Sequence, residues 1–114
     1  MKETIFDKII RKEIPASIVY EDEEILAFKD INPQAPIHIL VIPKTQFKTI
    51  NDIEQKDIEL TGKLIYRASQ IAKELGVAED GYRLVFNCNK YGGQEVYHIH
   101  LHLLAGRKMT WPPG

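Results

Sequence analysis

The sequence holds a single cysteine, Cys88, so an internal disulfide and a thiolate zinc cluster are both excluded by count. It also lacks a long apolar run. The longest uninterrupted aliphatic stretch, Ile39 to Ile42, is far too short to span a bilayer. Residues 1–15 interleave charged with apolar side chains and show no signal-peptide core. A soluble, cytoplasmic protein without a membrane partner is expected. Neither sign of charge is in excess: Lys plus Arg number 15, Asp plus Glu 16, and the net charge is −1. With no basic run, nothing suits long nucleic acid, whose many phosphates need neutralising. A single nucleotide, which needs only a few contacts, stays open. No repeat or Pro/Gly/Ser-rich linker divides the 114 residues. One domain over 1–114 is therefore expected, with 105–114 as a C-terminal tail.

The 44% of apolar residues can supply a core, and 27% charged residues is ordinary for a globule rather than a disordered chain. Thr4 is placed to cap a first helix carrying Ile5, Phe6, Ile9 and Ile10, with Pro15 at its exit. Short strands are predicted at 17–20 and 25–29, split by the acidic turn 21–24. The proline-punctuated stretch 30–36 reads as a loop, and His38 to Ile42 as a strand ending at Pro43. From about Glu54 to Leu75, apolar residues recur at three- and four-residue spacing, which predicts one long helix closed by Gly76. Residues 82–87 and 96–104 read as a strand pair joined through 89–93. The expected fold is α+β: an antiparallel sheet of about five strands with one long and one short helix.

The chemistry concentrates in Val96-Tyr-His-Ile-His-Leu-His-Leu103. His98, His100 and His102 occupy every second position. On a strand they share one face at intervals of roughly 6.6 Å, while Ile99, Leu101 and Leu103 face a core. On a helix the rings would diverge. A single histidine is usually structural, but three on one face offer no packing advantage and would repel if protonated. Two chemistries fit. Imidazoles are zinc ligands, although no carboxylate interrupts this strand and three rings spread over about 13 Å converge poorly on one ion. Alternatively, a neutral imidazole attacks phosphorus while neighbouring rings set its tautomer and protonate the leaving group. His38 is the available fourth member. Gly92-Gly93 reads either as a simple turn or as backbone that approaches a phosphate without Cβ obstruction.

The segment His98-Ile-His-Leu-His-Leu-Leu104 resembles the signature of the histidine triad nucleotide-binding superfamily, with histidines alternating with apolar residues. The resemblance runs nearly the full length and is similar to the Hint-type nucleoside phosphoramidase branch. It includes Thr4-Ile-Phe6, 8–15, Leu26-Ala-Phe28, Pro33-Gln-Ala-Pro36, 38–44, Gly81-Tyr-Arg83, Gly92-Gly-Gln94 and Trp111-Pro-Pro-Gly114. It implies hydrolysis of the P–N bond of purine nucleoside 5′-phosphoramidates, with AMP- or GMP-type substrates and no cofactor or metal. His100 is implied as the nucleophile, His102 as the residue assisting the leaving group, and His98 and His38 as orienting groups. Asp30 is implied at the ribose hydroxyls and Asn87, Gly93 and Gln94 beside the phosphate. Phe6, Ile9, Phe28 and Ile31 are implied as a purine slot, for which core packing is the alternative. Glu95 stands where some members carry a hydroxyl facing the leaving group, so leaving-group preference is left open. A homodimer with joined sheets is also implied, its tail reaching the neighbouring site. A nucleotide-binding regulatory protein with incidental turnover is the alternative to an enzyme, and a zinc hydrolase a weaker one.

Overall fold

The computed structural model describes residues 2–114. Helix α1, Ile5–Ile10, begins as its sequence predicts. The Thr4 hydroxyl accepts the Phe6 N–H at 3.2 Å and the Asp7 carboxylate accepts the Thr4 N–H at 2.8 Å. This reciprocal cap satisfies donors that a helix end otherwise leaves orphaned. Strands β1 (Ile18–Glu21) and β2 (Ile25–Lys29) form a hairpin. Its turn is held by Asp22, whose Oδ1 accepts the N–H groups of Glu24 and Ile25, each at 2.8 Å. Strand β3 is Ile37–Pro43. Two 3₁₀ turns, Ile50–Asp52 and Gln55–Asp57, lead into α2, Ile58–Glu74. The long helix thus starts four residues later than the expected bound at Glu54. Gly76, at φ 74°, takes the left-handed position after it.

Strand β4 covers only Arg83–Val85, the one-turn helix α3 Asn89–Gly92, and β5 Leu101–Ala105. Among the described residues, five strands form one antiparallel sheet in the order β1-β2-β3-β5-β4. Two sequence expectations need correction. The joining segment 89–93 contains a helical turn, and the strand expected at 96–104 begins only at Leu101. The physical reason lies across the ladder. β5 pairs with β3 from Ile37↔Ala105 to Val41↔Leu101, and two residues further on β3 reaches Pro43, which has no N–H to donate. The chain leaves the sheet there, and the Ile99 N–H bonds the Phe47 carbonyl instead at 2.8 Å.

Side-chain alternation divides the sheet into two faces. On one, Ile25, Ala27, Ile39, Val41, Leu101 and Leu103 pack with Ile99 against Leu64, Ala68, Ile71 and Ala72 of α2. On the other, Leu26, Phe28, Leu40 and Ile42 pack against Phe6 and Ile9 of α1. His38 and His102 alternate onto this second face, beside Leu40. Ala105 closes β5, so the irregular C-terminal stretch begins at Gly106. Gly106, at φ 94°, leaves no room for a side chain: a Cβ would sit 2.7 Å from Pro36 Cβ. Arg83 and Arg107 tie this stretch back, donating to the carbonyls of Thr110 at 2.9 Å and Gln34 at 3.0 Å. Trp111 remains 82% exposed. No helix of the described residues is long and apolar enough to cross a membrane.

Candidate active site

The four histidines form a row along the α1 face of the sheet, from His98 beside Pro43 at the end of β3 to His38 near its start. Ring centroids lie 5.1 Å apart for His38 and His102 and 4.9 Å for His100 and His102. His38 and His102 meet across adjacent strands, and His100 stands just before β5, outside the ladder. The Phe6 ring meets His100 edge-on at 5.1 Å and His98 at 5.8 Å.

The hydrogen bonds assign each proton. A backbone N–H can only donate, so His38 Nδ1, 3.0 Å from the Gln34 N–H, is an acceptor. Its Nε2 therefore carries hydrogen and donates to His102 Nδ1 at 2.8 Å. That leaves the proton of His102 on Nε2, a buried N–H without a hydrogen-bond partner among the described residues. A carbonyl can only accept, so His100 Nδ1–H donates to the His98 carbonyl oxygen at 2.8 Å. Its Nε2 is consequently an unprotonated lone pair. His98 Nε2–H donates to the Pro43 carbonyl at 2.7 Å. Adjacent rings thus present a bare nitrogen, on His100, and a free N–H, on His102; His98 Nδ1 is also bare but fully buried.

Burial disfavours the charged form of each ring. His102 is lowered to about 4, chiefly by burial and then by the neighbouring His100 and His38. Burial also lowers His38, against the pull of Asp30. His98 and His100 are lowered for the same first reason, and the Asp30 and Glu95 carboxylates offset part of it at His100. All four imidazoles are neutral at pH 7, the state a nucleophile requires.

The other expected residues divide. Asp30 is close: its Oδ2 lies 3.5 Å from His38 Nε2, while Oδ1 accepts the Asn32 N–H at 2.8 Å. Phe6, Ile9 and Phe28 are buried in the core beneath the rings, with Phe6 and Phe28 edge-to-face at 5.5 Å. Ile31 is 94% exposed on the loop after β2. Asn87 is half-buried between β4 and α3, and Glu95 is exposed. The Gly93 and Gln94 N–H groups are spent on the Lys90 and Asn89 carbonyls, both at 3.1 Å. The Gln94 side chain bridges the Asn89 N–H and the Lys48 and Val96 carbonyls. It braces the loop rather than facing the rings. Sequence reasoning missed Gln34 and Pro43, which act through backbone groups that carry no side-chain signal.

A family model described as the HIT domain matches residues 11–109. The chain belongs to the histidine triad family. This HIT chain is 56% identical over 108 residues to a purine nucleoside phosphoramidase of Escherichia coli, covering 95% of this chain and 91% of that protein. It is 58% identical over 113 residues to a maize protein named 14 kDa zinc-binding protein, covering 97% and 88%. The crystal structure of a HIT family hydrolase from Legionella pneumophila superposes with a TM-score of 0.96 at 59% identity, covering 98% and 100% of the two chains.

The maize protein's name raises the question of a metal. Asp30, His38 and His102 each bring one ligand atom within 4.8 Å of the others, and the donor types suit zinc. The spacing does not. His38 Nε2 and His102 Nδ1 are bonded to each other at 2.8 Å, whereas two nitrogens on a tetrahedral ion stand about 3.4 Å apart. An ion would have to break that bond and displace its proton, so the arrangement as built holds a hydrogen bond rather than a metal.

Proposed function

We propose that this HIT protein hydrolyses the P–N bond of purine nucleoside 5′-phosphoramidates through a nucleotidyl-histidine intermediate on His100. The observation that carries the reading is the pairing of a bare His100 Nε2 with the free N–H of His102. The Escherichia coli relative's name points to the same chemistry. In the first step the Nε2 lone pair forms a bond to phosphorus, and the P–N bond breaks with its electrons going to nitrogen. That nitrogen, hydrogen-bonded by the His102 Nε2–H, takes a proton from a water molecule and departs as an amine. In the second step the hydroxide left by that water attacks phosphorus, and the P–Nε2 bond breaks to return the lone pair to His100. Splitting one displacement into two lowers each barrier. Throughout, the His98 carbonyl retains the Nδ1 proton of His100 and stabilises the charge its ring gains on phosphorylation.

In this reading Asp30 receives the ribose hydroxyls, and the exposed Ile31 gains a partner when it covers the purine face, with Phe6, Ile9 and Phe28 as the floor beneath. Asn87 stays on the phosphate side. Gly93 contributes its lack of a side chain rather than a donor, and Gln94 shapes the loop. The expected assembly is a homodimer, joined where β4 leaves a sheet edge open to a second copy, and the expected setting is the cytoplasm. Intact-protein mass spectrometry after brief mixing with adenosine 5′-phosphoramidate tests the scheme. Wild type should carry one AMP and His100→Ala none; an adduct on both would remove His100 from the role.

A further inference from the structure

The 2.8 Å bond between His38 Nε2 and His102 Nδ1 joins two rings that can each carry their proton on either nitrogen. The bond itself forms equally well in both directions. With His38 donating, His102 offers an Nε2–H to the leaving nitrogen. With His102 donating, its Nε2 is bare, and the leaving nitrogen meets a lone pair instead. What separates the two states lies at the far end of the His38 ring. There the Gln34 N–H, 3.0 Å from Nδ1, excludes a proton. Asp30 Oδ2, 3.5 Å from His38 Nε2, favours the same state.

Gln34 belongs to no strand. It lies in the loop between β2 and β3, so no ladder fixes its backbone. Its flanks are stiff: Pro33 and Pro36 have fixed φ, and Ala35 is restricted as the residue before a proline. The freedom to turn the N–H away from His38 is therefore concentrated at Gln34 itself. Its side chain folds back on the Asn32 carbonyl at 3.0 Å, inside the same loop. The C-terminal stretch restrains the loop from outside, at two places. Gly106 runs so close to Pro36 that a Cβ would stand 2.7 Å from Pro36 Cβ. Beside it, Arg107 Nη2 donates to the Gln34 carbonyl at 3.0 Å, and a charged donor makes the stronger kind of hydrogen bond.

We propose that Arg107 is a positioning residue for the leaving-group donor: it holds the Gln34 backbone from the C-terminal stretch, and so keeps the protons of His38 and His102 on Nε2. It acts through one residue of the loop and two rings. Without it the Gln34 N–H spends time away from His38, and the pair populates the opposite state, in which both protons sit on Nδ1. Turnover falls with the share of His102 that has lost its Nε2–H. The inference deepens the phosphoramidase reading and depends on it only for the kinetics.

The experiment compares Arg107→Ala, Arg107→Lys and Arg83→Ala with wild type at neutral pH. It reads turnover of adenosine 5′-phosphoramidate and the NMR shifts of the ring nitrogens of His38 and His102, which separate protonated from bare nitrogens. Arg83→Ala reports a merely structural role, because it cuts the other tie of the same stretch, to the Thr110 carbonyl at 2.9 Å, and leaves Gln34 alone. Arg107→Ala should lower kcat about fivefold, in keeping with the net worth of one hydrogen bond, and change KM less. The Nδ1 shifts of both rings should move together towards the protonated range while the Nε2 shifts move away from it. Arg107→Lys keeps a cationic donor and should recover most of both effects; Arg83→Ala should show neither. An unmoved nitrogen pattern in Arg107→Ala would overturn the assignment whatever the rate, and so would an equal change of pattern in Arg83→Ala. If wild type fails to turn the phosphoramidate over, the functional reading falls alone, and the nitrogen shifts of the four proteins still decide the role of Arg107.

Discussion

His100 Nδ1 lies 2.8 Å from the carbonyl oxygen of His98, its neighbour but one in the chain. A main-chain oxygen therefore dictates which nitrogen of the nucleophile is bare, and no substitution of the His98 side chain can delete it. His98→Ala should loosen this oxygen but not remove it, whereas His100→Ala removes the attacking atom. We expect His100→Ala to lower kcat by about four orders of magnitude or more and His98→Ala by considerably less, measured by single-turnover kinetics. Equal losses would show that the His98 ring itself takes part in the chemistry.

Acid should affect rate and stability together. The four histidines are depressed below the ordinary value of 6.5 in the folded protein. Below that pH the unfolded chain binds more protons than the folded one, so stability is lost as pH falls through 6.5, and for His102 the loss is complete near 4. Above 6.5 these groups contribute no pH dependence. Chemical denaturation across this window should show a declining midpoint, and kcat/KM should hold steady down to 6.5 before its acid limb appears. A decline in kcat/KM that sets in well above 6.5 would contradict the buried neutral rings.

Gly106→Ala should destabilise the fold. Its Cβ would stand 2.7 Å from Pro36 Cβ at a φ of 94°, a clash with a rigid ring in a conformation L-residues avoid. A loss of about 1–3 kcal/mol is expected from urea titration. Pro36 precedes β3 and His38 by a short step, so a fall in kcat should accompany it.

Chelation should leave turnover unchanged. The 2.8 Å bond between His38 and His102 serves as the proton-bearing contact of the site, and an ion there would occupy His102 Nδ1 and disturb the tautomer. EDTA should not slow hydrolysis, while added zinc should inhibit it by competing for this pair. Loss of activity in EDTA, restored by zinc, would reverse the assignment.

Deletion of residues 107–114 tests the tail. Trp111 is 82% exposed, and a large aromatic left uncovered is economically explained by a second copy. Light scattering on the truncated and full-length proteins should show a dimer in both, since the open β4 edge remains, while substrate preference changes. An unchanged preference among amine leaving groups would place the tail away from the site. Glu95→Ser should favour acidic leaving groups relative to amines, by removing an exposed carboxylate whose charge is felt at His100; an unchanged ratio would count against it.

The sheet was legible because β3 and α2 carry unambiguous periodicities, and Leu64, Ala68, Ile71 and Ala72 meet the β3 and β5 residues that alternation selects. The histidine motif was legible as a site because no packing need accounts for it. The extent of its strand was not. Alternation continues through 96–100, but pairing depends on what stands across the ladder, and Pro43 has nothing to donate. Likewise Gly93 and Gln94 suit a phosphate loop by composition, yet α3 consumes their N–H groups. Phe6 and Phe28 satisfy a purine slot and a core equally well in sequence, and burial shows only that they pack.

By itself the sequence determined the fold class, the family and the identity of the four histidines, since these follow from residue type, spacing and local periodicity. The tertiary structure alone decided which nitrogen of each ring bears a proton. That assignment comes from the Gln34 N–H, the Pro43 carbonyl and the His98 carbonyl. Every residue but proline has such an N–H, and every residue such a carbonyl, so only the path of the chain makes them specific.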